Sequence, residues 1–188
     1  VGPGINIMEG ADEVVIENNI IVGSKGFIVA IHGSNIRIVN NTISKSLHGI
    51  VLFFVENITF IGNSISETVH TPLFIQDSRN CTVAGNTISD VWGTIGLSLM
   101  NSTIADNTIS NARGAFTPDI VKDIKEKLRL SYFYFSIFPR SNNIMVGNTI
   151  TNSSTAFRVL ECNNVIYHNN FINSPMYDLG QNNYWDYN

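Results

Sequence analysis

The sequence predicts an all-β chain: one domain, residues 1–188, folded as a parallel β-helix (a β-solenoid) of about seven coils with one short helical insertion at about 117–130. Three observations predict it. A repeat of about 22 residues runs through the chain. Asparagines recur at fixed phases of that repeat, and isoleucines recur at another. Such periods mark solenoids, in which each coil is too thin to bury its own apolar side chains and must stack on its neighbours.

The asparagine element comes first. Asn41-Thr42-Ile43, Asn63-Ser64-Ile65, Asn86-Thr87-Ile88, Asn107-Thr108-Ile109 and Asn148-Thr149-Ile150 share one form, and Asn19-Ile20-Ile21 and Asn170-Phe171-Ile172 extend it to both ends. Successive asparagines are 22, 22, 23, 21, 41 and 22 residues apart, so the one long step marks an insertion. Six residues earlier runs a second column: Glu13, Asn35, Asn57, Asn80, Asn101, Asn142 and Asn164. Parallel strands about 4.8 Å apart place identical residues on identical residues. An asparagine tolerates the left-handed backbone of a turn, and its amide can bond to the amides above and below. The columns therefore predict a structural ladder of Asn41, Asn63, Asn86, Asn107, Asn148 and Asn170 that turns the chain without stranding buried polar groups.

The apolar elements follow from the same phase. Between the two polar columns lie Ile16, Ile38, Phe60, Val83, Ile104, Met145 and Tyr167. Two residues after the first column lie Ile21, Ile43, Ile65, Ile88, Ile109, Ile150 and Ile172. A third apolar strand follows, as in Gly49-Ile50-Val51-Leu52 and Gly96-Leu97-Ser98-Leu99.

The segment Ser34-Asn35-Ile36-Arg37-Ile38-Val39-Asn40-Asn41-Thr42-Ile43 resembles the parallel β-helix repeat of carbohydrate-binding and sugar-hydrolase proteins, a group that includes NosD-like periplasmic and archaeal surface proteins. Asn183-Tyr184-Trp185-Asp186-Tyr187 is similar to the Asn-Tyr-Trp-Ser-Asp-Tyr segment that closes many NosD-like arrays, here without the serine. The resemblance covers the chain outside 117–130. It implies a right-handed coil, in agreement with the handedness of parallel crossovers. It specifies function weakly, because the repeat consensus is structural.

Thr117-Pro118-Asp119 has the form of a helix start: a capping hydroxyl, proline at the first position, an acid in the first turn. Ile120, Ile124 and Leu128 then lie at helical spacing, which predicts an amphipathic helix over 118–129. Packing back onto the solenoid is the preferred reading of its apolar stripe. The alternative is a contact surface or lid, to which the aromatics Tyr132 and Tyr134 would contribute. Gly4-Ile5-Asn6-Ile7 matches a third strand, so the sequence opens in mid-coil. Either the chain is cut from a longer one, or its coil ends, with Tyr184 and Trp185 at one of them, serve head-to-tail self-association.

Titratable groups gather at one turn. Lys45, Glu67 and Asp90 lie four residues after the asparagine column, His48 and His70 seven after it, and Trp92 is near. Adjacent coils would bring Glu67 and Asp90 to about 5 Å, close to the separation in a retaining glycosidase. Trp92, His48, His70 and Lys45 are the matching glycan-binding candidates, since an indole can stack on a sugar ring. A solvated polar turn is nonetheless the preferred reading. No single coil carries the dense acidic cluster that sugar cleavage on this scaffold would need, and His48 with His70 is too small a set for a closed zinc shell. No metal and no cofactor are expected.

The net charge of -4, with 14% charged residues, argues against nucleic-acid partners. No run approaches 18 apolar residues, so no membrane span is expected. Cys81 and Cys162 lie three coils apart, roughly 14 Å by strand spacing, which predicts two separate thiols. Glycosylation acceptors occur at Asn40, Asn57, Asn80, Asn101 and Asn152. The expected role is a non-catalytic extracellular, cell-surface or periplasmic structural protein that self-assembles into a surface layer or filament. The alternatives are a carbohydrate-binding or carbohydrate-active protein and a NosD-like accessory factor.

Overall fold

The computed structural model describes residues 5, 7, 9–26, 28–93, 95–113, 136–139, 141–153, 157–159, 162–178 and 180–186. The expected helix at 117–130, with Ile120, Ile124 and Leu128, lies outside the described residues, as do Tyr132 and Tyr134.

Strands alternate with tight turns, and every pairing is parallel. The first sheet has eight strands: β1 (Val15–Glu17), β4 (Arg37–Val39), β7 (Thr59–Ile61), β10 (Thr82–Ala84), β13 (Thr103–Ala105), β16 (Ile144–Val146), β19 (Val165–Tyr167) and β22 (Tyr184–Asp186). The second has seven: β2 (Ile20–Val22), β5 (Thr42–Ser44), β8 (Ser64–Ser66), β11 (Thr87–Ser89), β14 (Thr108–Ser110), β17 (Thr149–Thr151) and β20 (Asn170–Ile172). The third holds β3 (Ile28–Ile31), β6 (His48–Phe53), β9 (Thr71–Arg79), β12 (Ile95–Met100) and β15 (Ser136–Pro139). A separate pair, β18 (Phe157–Val159) and β21 (Met176–Asp178), completes the strands among the described residues.

Strands in one sheet are one coil apart in sequence, so the three sheets are the walls of a single solenoid. Inward positions stack apolar on apolar: Ile16, Ile38, Phe60, Val83, Ile104, Met145 and Ile166 in the first wall, and Ile43, Ile65, Ile88, Ile109 and Ile150 in the second, all at most 5% exposed. The third wall adds Ile50, Leu73 and Ile95, and beside them Leu52, Ile75 and Leu97. These columns merge into one core.

Each corner needs a left-handed residue, and the sequence supplies one per coil. Just before the buried asparagines, the positive-φ residues are Asn18, Asn40, Gly62, Gly85, Asp106, Gly147 and His168. Before the first wall they are Glu13, Asn35, Asn57, Asn80, Asn101, Asn142 and Asn163. After the second wall they are Gly23, Lys45, Glu67, Asp90, Asn111, Asn152 and Asn173. Asparagine and glycine dominate because other side chains are disfavoured at φ > 0.

The ladder asparagines themselves point inward. Asn41, Asn63, Asn86, Asn107 and Asn148 are at most 5% exposed. From Asn19 onward, the backbone N–H and Nδ2 of each donate to Oδ1 of the next, at 2.8–3.1 Å. The remaining Nδ2 hydrogen reaches a carbonyl of the preceding coil, as from Asn86 to Phe60 at 2.9 Å. Asn107 bonds directly to Asn148 although they are 41 residues apart, so the ladder continues unbroken between them.

The last rung corrects the sequence reading. Asn148 bonds to Asn169, not Asn170. Asn170 is exposed in β20 opposite Thr149, and Phe171, not Ile172, stands opposite Ile150. The second column slips equally: Asn163 takes the left-handed turn, while Asn164 is buried and accepts from Asn143. Ile166 therefore replaces Tyr167 as the inward residue. A one-residue shift sends every side chain to the opposite face. The chosen register buries Ile166 and leaves Tyr167 and the 46%-exposed Ile172 pointing outward.

A second polar column lies ahead of the first wall. Ser102 N–H donates to Asn143 Oδ1, Asn143 to Asn164, and Asn164 to Asn183, each at 3.0 Å. In the coils before them that position is filled by Ile36, Ile58 and Cys81. Cys81 and Cys162 are both free thiols.

Candidate functional site

The turn between the second and third walls is where the sequence collects titratable groups. Lys45, Glu67 and Asp90 are exposed and share one left-handed position, with φ of 51°, 51° and 54°. The residues after them, Ser46, Thr68 and Val91, point inward and are buried. Asp90 Oδ1 accepts from Asn111 Nδ2 at 2.9 Å, and Asn152 accepts from Asn173 in the same column at 3.0 Å. The three candidates are thus rungs of a turn that repeats in every coil. Among the described residues the ion pairs lie elsewhere, Arg37 with Glu17 and Arg79 with Glu56.

One residue beyond the turn, the coils lose strict register. Glu67 follows Lys45 by 22 residues, whereas Thr71, the strand partner of His48, follows it by 23. His70 is the additional residue. Its N–H donates to the Leu47 carbonyl at 2.9 Å, and its ring stacks on His48 with centroids 5.4 Å apart and planes at 24°. Burial, and after it the neighbouring His70, holds His48 below the ordinary imidazole range. Gly93, at φ 106°, lets the next coil pass the His70 carbonyl, which a Cβ at that position would strike.

Trp92 stands beside this pair, 38% exposed. Arg113, a residue the sequence reading did not single out, lies over the indole at 5.5 Å. Trp92 and Arg113 are bridge partners in adjacent coils, a relation readable only once the coils are aligned. Trp92 and Arg113 form an outward stack of an indole and a guanidinium, Trp92 standing two residues after the turn residue Asp90. Among the described residues, no group of three or more His, Cys, Asp or Glu side chains converges to hold a metal ion.

Two other features lie away from this turn. Gln76 and Asp77 form an irregularity where β9 outruns β12, beside an open depression of about 210 Å³ lined by Phe74, Gly96 and Ser98 among others. The five glycosylation-acceptor asparagines are all exposed at left-handed turn positions. Of the remaining candidates, Tyr184 is 60% exposed, whereas Trp185 packs against the core and donates from Nε1 to Asp178 Oδ2 at 2.6 Å.

No helix among the described residues is long and apolar enough to cross a membrane. A search of curated proteins finds no match to this chain. The family model described as the right handed beta helix region matches residues 3–120. That stretch is more than half of the sequence and contains the ladder from Asn19 to Asn107. With the parallel walls and stacked amides already in place, the chain belongs to the right-handed β-helix family.

Proposed function

We propose that this chain is a structural β-solenoid: a self-associating subunit of an extracellular or cell-surface layer or filament, with no catalytic role. The observation that carries the reading is exposed apolar surface on the first and last described coils, where the second wall departs from its run of Thr and Ser. In the middle coils the outward positions of the second wall are all Thr or Ser. In the first coil the same positions are Ile20 and Val22, 78% and 60% exposed, with Val15 at 57% beside them. In the last coils Ile172 and Tyr184 are 46% and 60% exposed. Exposed apolar side chains on the outer walls favour contact with a second copy of the chain, and a heterologous contact propagates into filaments. The hydrogen-bonded amide ladder supports the same role by tying coil to coil along the axis. Negative-stain electron microscopy and sedimentation over a range of protein concentration test it. Fibres or concentration-dependent oligomers are expected, and Ile20→Lys with Val22→Lys should abolish them. A wild-type chain that stays monomeric at every concentration refutes the proposal.

A second reading, glycan binding, is favoured by the Trp92–Arg113 platform beside Glu67 and Asp90. Glycan-array binding that is lost in Trp92→Ala would establish it. Glycan cleavage surviving Glu67→Gln with Asp90→Asn would remove those carboxylates from any chemistry.

A further inference from the structure

His70 interrupts the repeat at the corner after the second wall. The strand partner of His48 is Thr71, so His70 is an extra residue with no place in the strand pairing. Its N–H on the Leu47 carbonyl, at 2.9 Å, ties it to the preceding coil. His48 is held more firmly. It opens β6, and the next residue, Gly49, lies so close to the Pro72 carbonyl that a Cβ would not fit. The two half-buried imidazoles stack with centroids 5.4 Å apart and planes at 24°. His32 and His168 face the rings of Phe54 and Tyr167 instead.

Stacked imidazoles hold together while at least one ring is neutral. Two protonated rings at this separation repel. Burial opposes a charge on His48 as well. The surrounding charges do not offset that repulsion. Among the described residues they are Lys45 and Glu67 at the turns that open the same two coils, and Asp90 and Arg113 on the two coils that follow. They are two of each sign, and all four are exposed, where solvent and salt weaken their fields.

The next coil rests on His70. Gly93, at φ 106°, lies against the His70 carbonyl with no room for a Cβ. Gly93 N–H donates to the Arg113 carbonyl at 3.0 Å, Arg113 N–H to the Val91 carbonyl at 2.9 Å, and Trp92 N–H to the Thr68 carbonyl at 2.8 Å. A displacement of His70 therefore passes through the Gly93 backbone to both members of the Trp92–Arg113 stack.

We infer that this turn is a pH-responsive element: protonation of the His48–His70 pair parts the two rings, shifts Gly93 from its seat on His70 and loosens the Trp92–Arg113 stack. The response is local to the turn and depends neither on self-association nor on glycan binding.

Amide hydrogen exchange is the test, followed residue by residue between about pH 7.5 and about pH 5 with the intrinsic pH dependence of exchange divided out. Protection at Trp92, Gly93 and Arg113 should fall at least about tenfold, while the ladder amides of Asn63 and Asn86 keep theirs. His70→Gln and His48→Gln each leave a single ring to protonate, so either should hold that protection level across the range. His32→Gln should behave as wild type. In a Trp185→Phe background, Trp92 emission should shift to the red as pH falls and should stay fixed once His70→Gln is added. Unchanged protection of Trp92, Gly93 and Arg113 at the acid end overturns the inference. So does an equal loss at Asn63 and Asn86, which is general acid unfolding, or an undiminished response in His70→Gln. Loss of the response in Glu67→Gln with Asp90→Asn also overturns it, by assigning the sensing to the carboxylates. If His70→Gln lacks the wild-type circular dichroism at neutral pH, His48→Gln supplies the same comparison.

Discussion

Asn86→Ala measures what one rung of the amide ladder contributes. The Asn86 side chain accepts from Asn63 N and Nδ2 at 2.8 and 3.1 Å, and donates to Asn107 Oδ1 and the Phe60 carbonyl, both at 2.9 Å. Alanine removes all of these bonds. Asn63 Nδ2 keeps the Ile38 and Ile61 carbonyls, at 2.8 and 3.2 Å, and Asn107 Oδ1 keeps the Asn86 N–H at 3.0 Å. The Asn63 N–H keeps nothing, at a residue 1% exposed. One orphaned buried donor costs about 1–3 kcal/mol and each of the three further lost bonds about 0.5–1, so the expected loss is about 2.5–6 kcal/mol. Urea unfolding should move to a lower midpoint at unchanged slope. Solenoids can lose cooperativity between coils, so circular dichroism and tryptophan fluorescence should both be followed and should coincide. A loss under about 1 kcal/mol would mean that water replaces the amide, and that apolar stacking alone holds the coils together.

Three other outcomes follow from the geometry. Asn169→Ala should destabilise by more than about 1 kcal/mol and Asn170→Ala by less than about 0.5, because only the first is bonded into the ladder; the reverse order in urea titrations would restore the register read from the sequence. The pKa of His48 is depressed from its ordinary 6.5, so as pH falls through that value the unfolded chain binds the proton first. Stability is therefore full above about pH 6.5 and declines below it until native His48 also protonates; a His48→Gln variant should flatten the urea midpoint against pH, and an unchanged slope would assign the effect elsewhere. Burial pushes the Cys81 thiol up to about 11, so it should resist a thiol reagent until the chain unfolds, while the half-buried Cys162 reacts first; equal rates in the native protein would contradict that burial.

The fold was legible because a solenoid writes its structure into the sequence many times. Ile43, Ile65, Ile88 and Ile109 each make the same weak statement about one strand, and stacking turns four statements into one strong constraint. The slip at Asn170 has the same origin. Asn163-Asn164 and Asn169-Asn170 are doublets, so either member keeps the asparagine phase. What separates the registers is which of Ile166 and Tyr167, and of Phe171 and Ile172, enters the core. That is a packing difference, and isoleucine two residues after Asn170 concealed it.

The turn at Trp92 was harder to read for a reason specific to repeats. A column alignment assumes that every coil has the same length, and here the coils differ, with ladder steps of 22, 23, 21 and 41 residues. Counting seven residues from the asparagines groups His48 with His70, and their rings do stack, yet His48 pairs in the strand with Thr71. Arg113 carries no signal in the sequence because its pairing with Trp92 exists only in the folded register. In a scaffold whose default is identical coils, structural information lies in what recurs, and functional information in the departures. Glu67 and Asp90 recur as members of a turn column that elsewhere is glycine, lysine or asparagine, which assigns them first to the backbone. The extra residue at His70, the Trp92–Arg113 stack and the Gln76–Asp77 irregularity are departures.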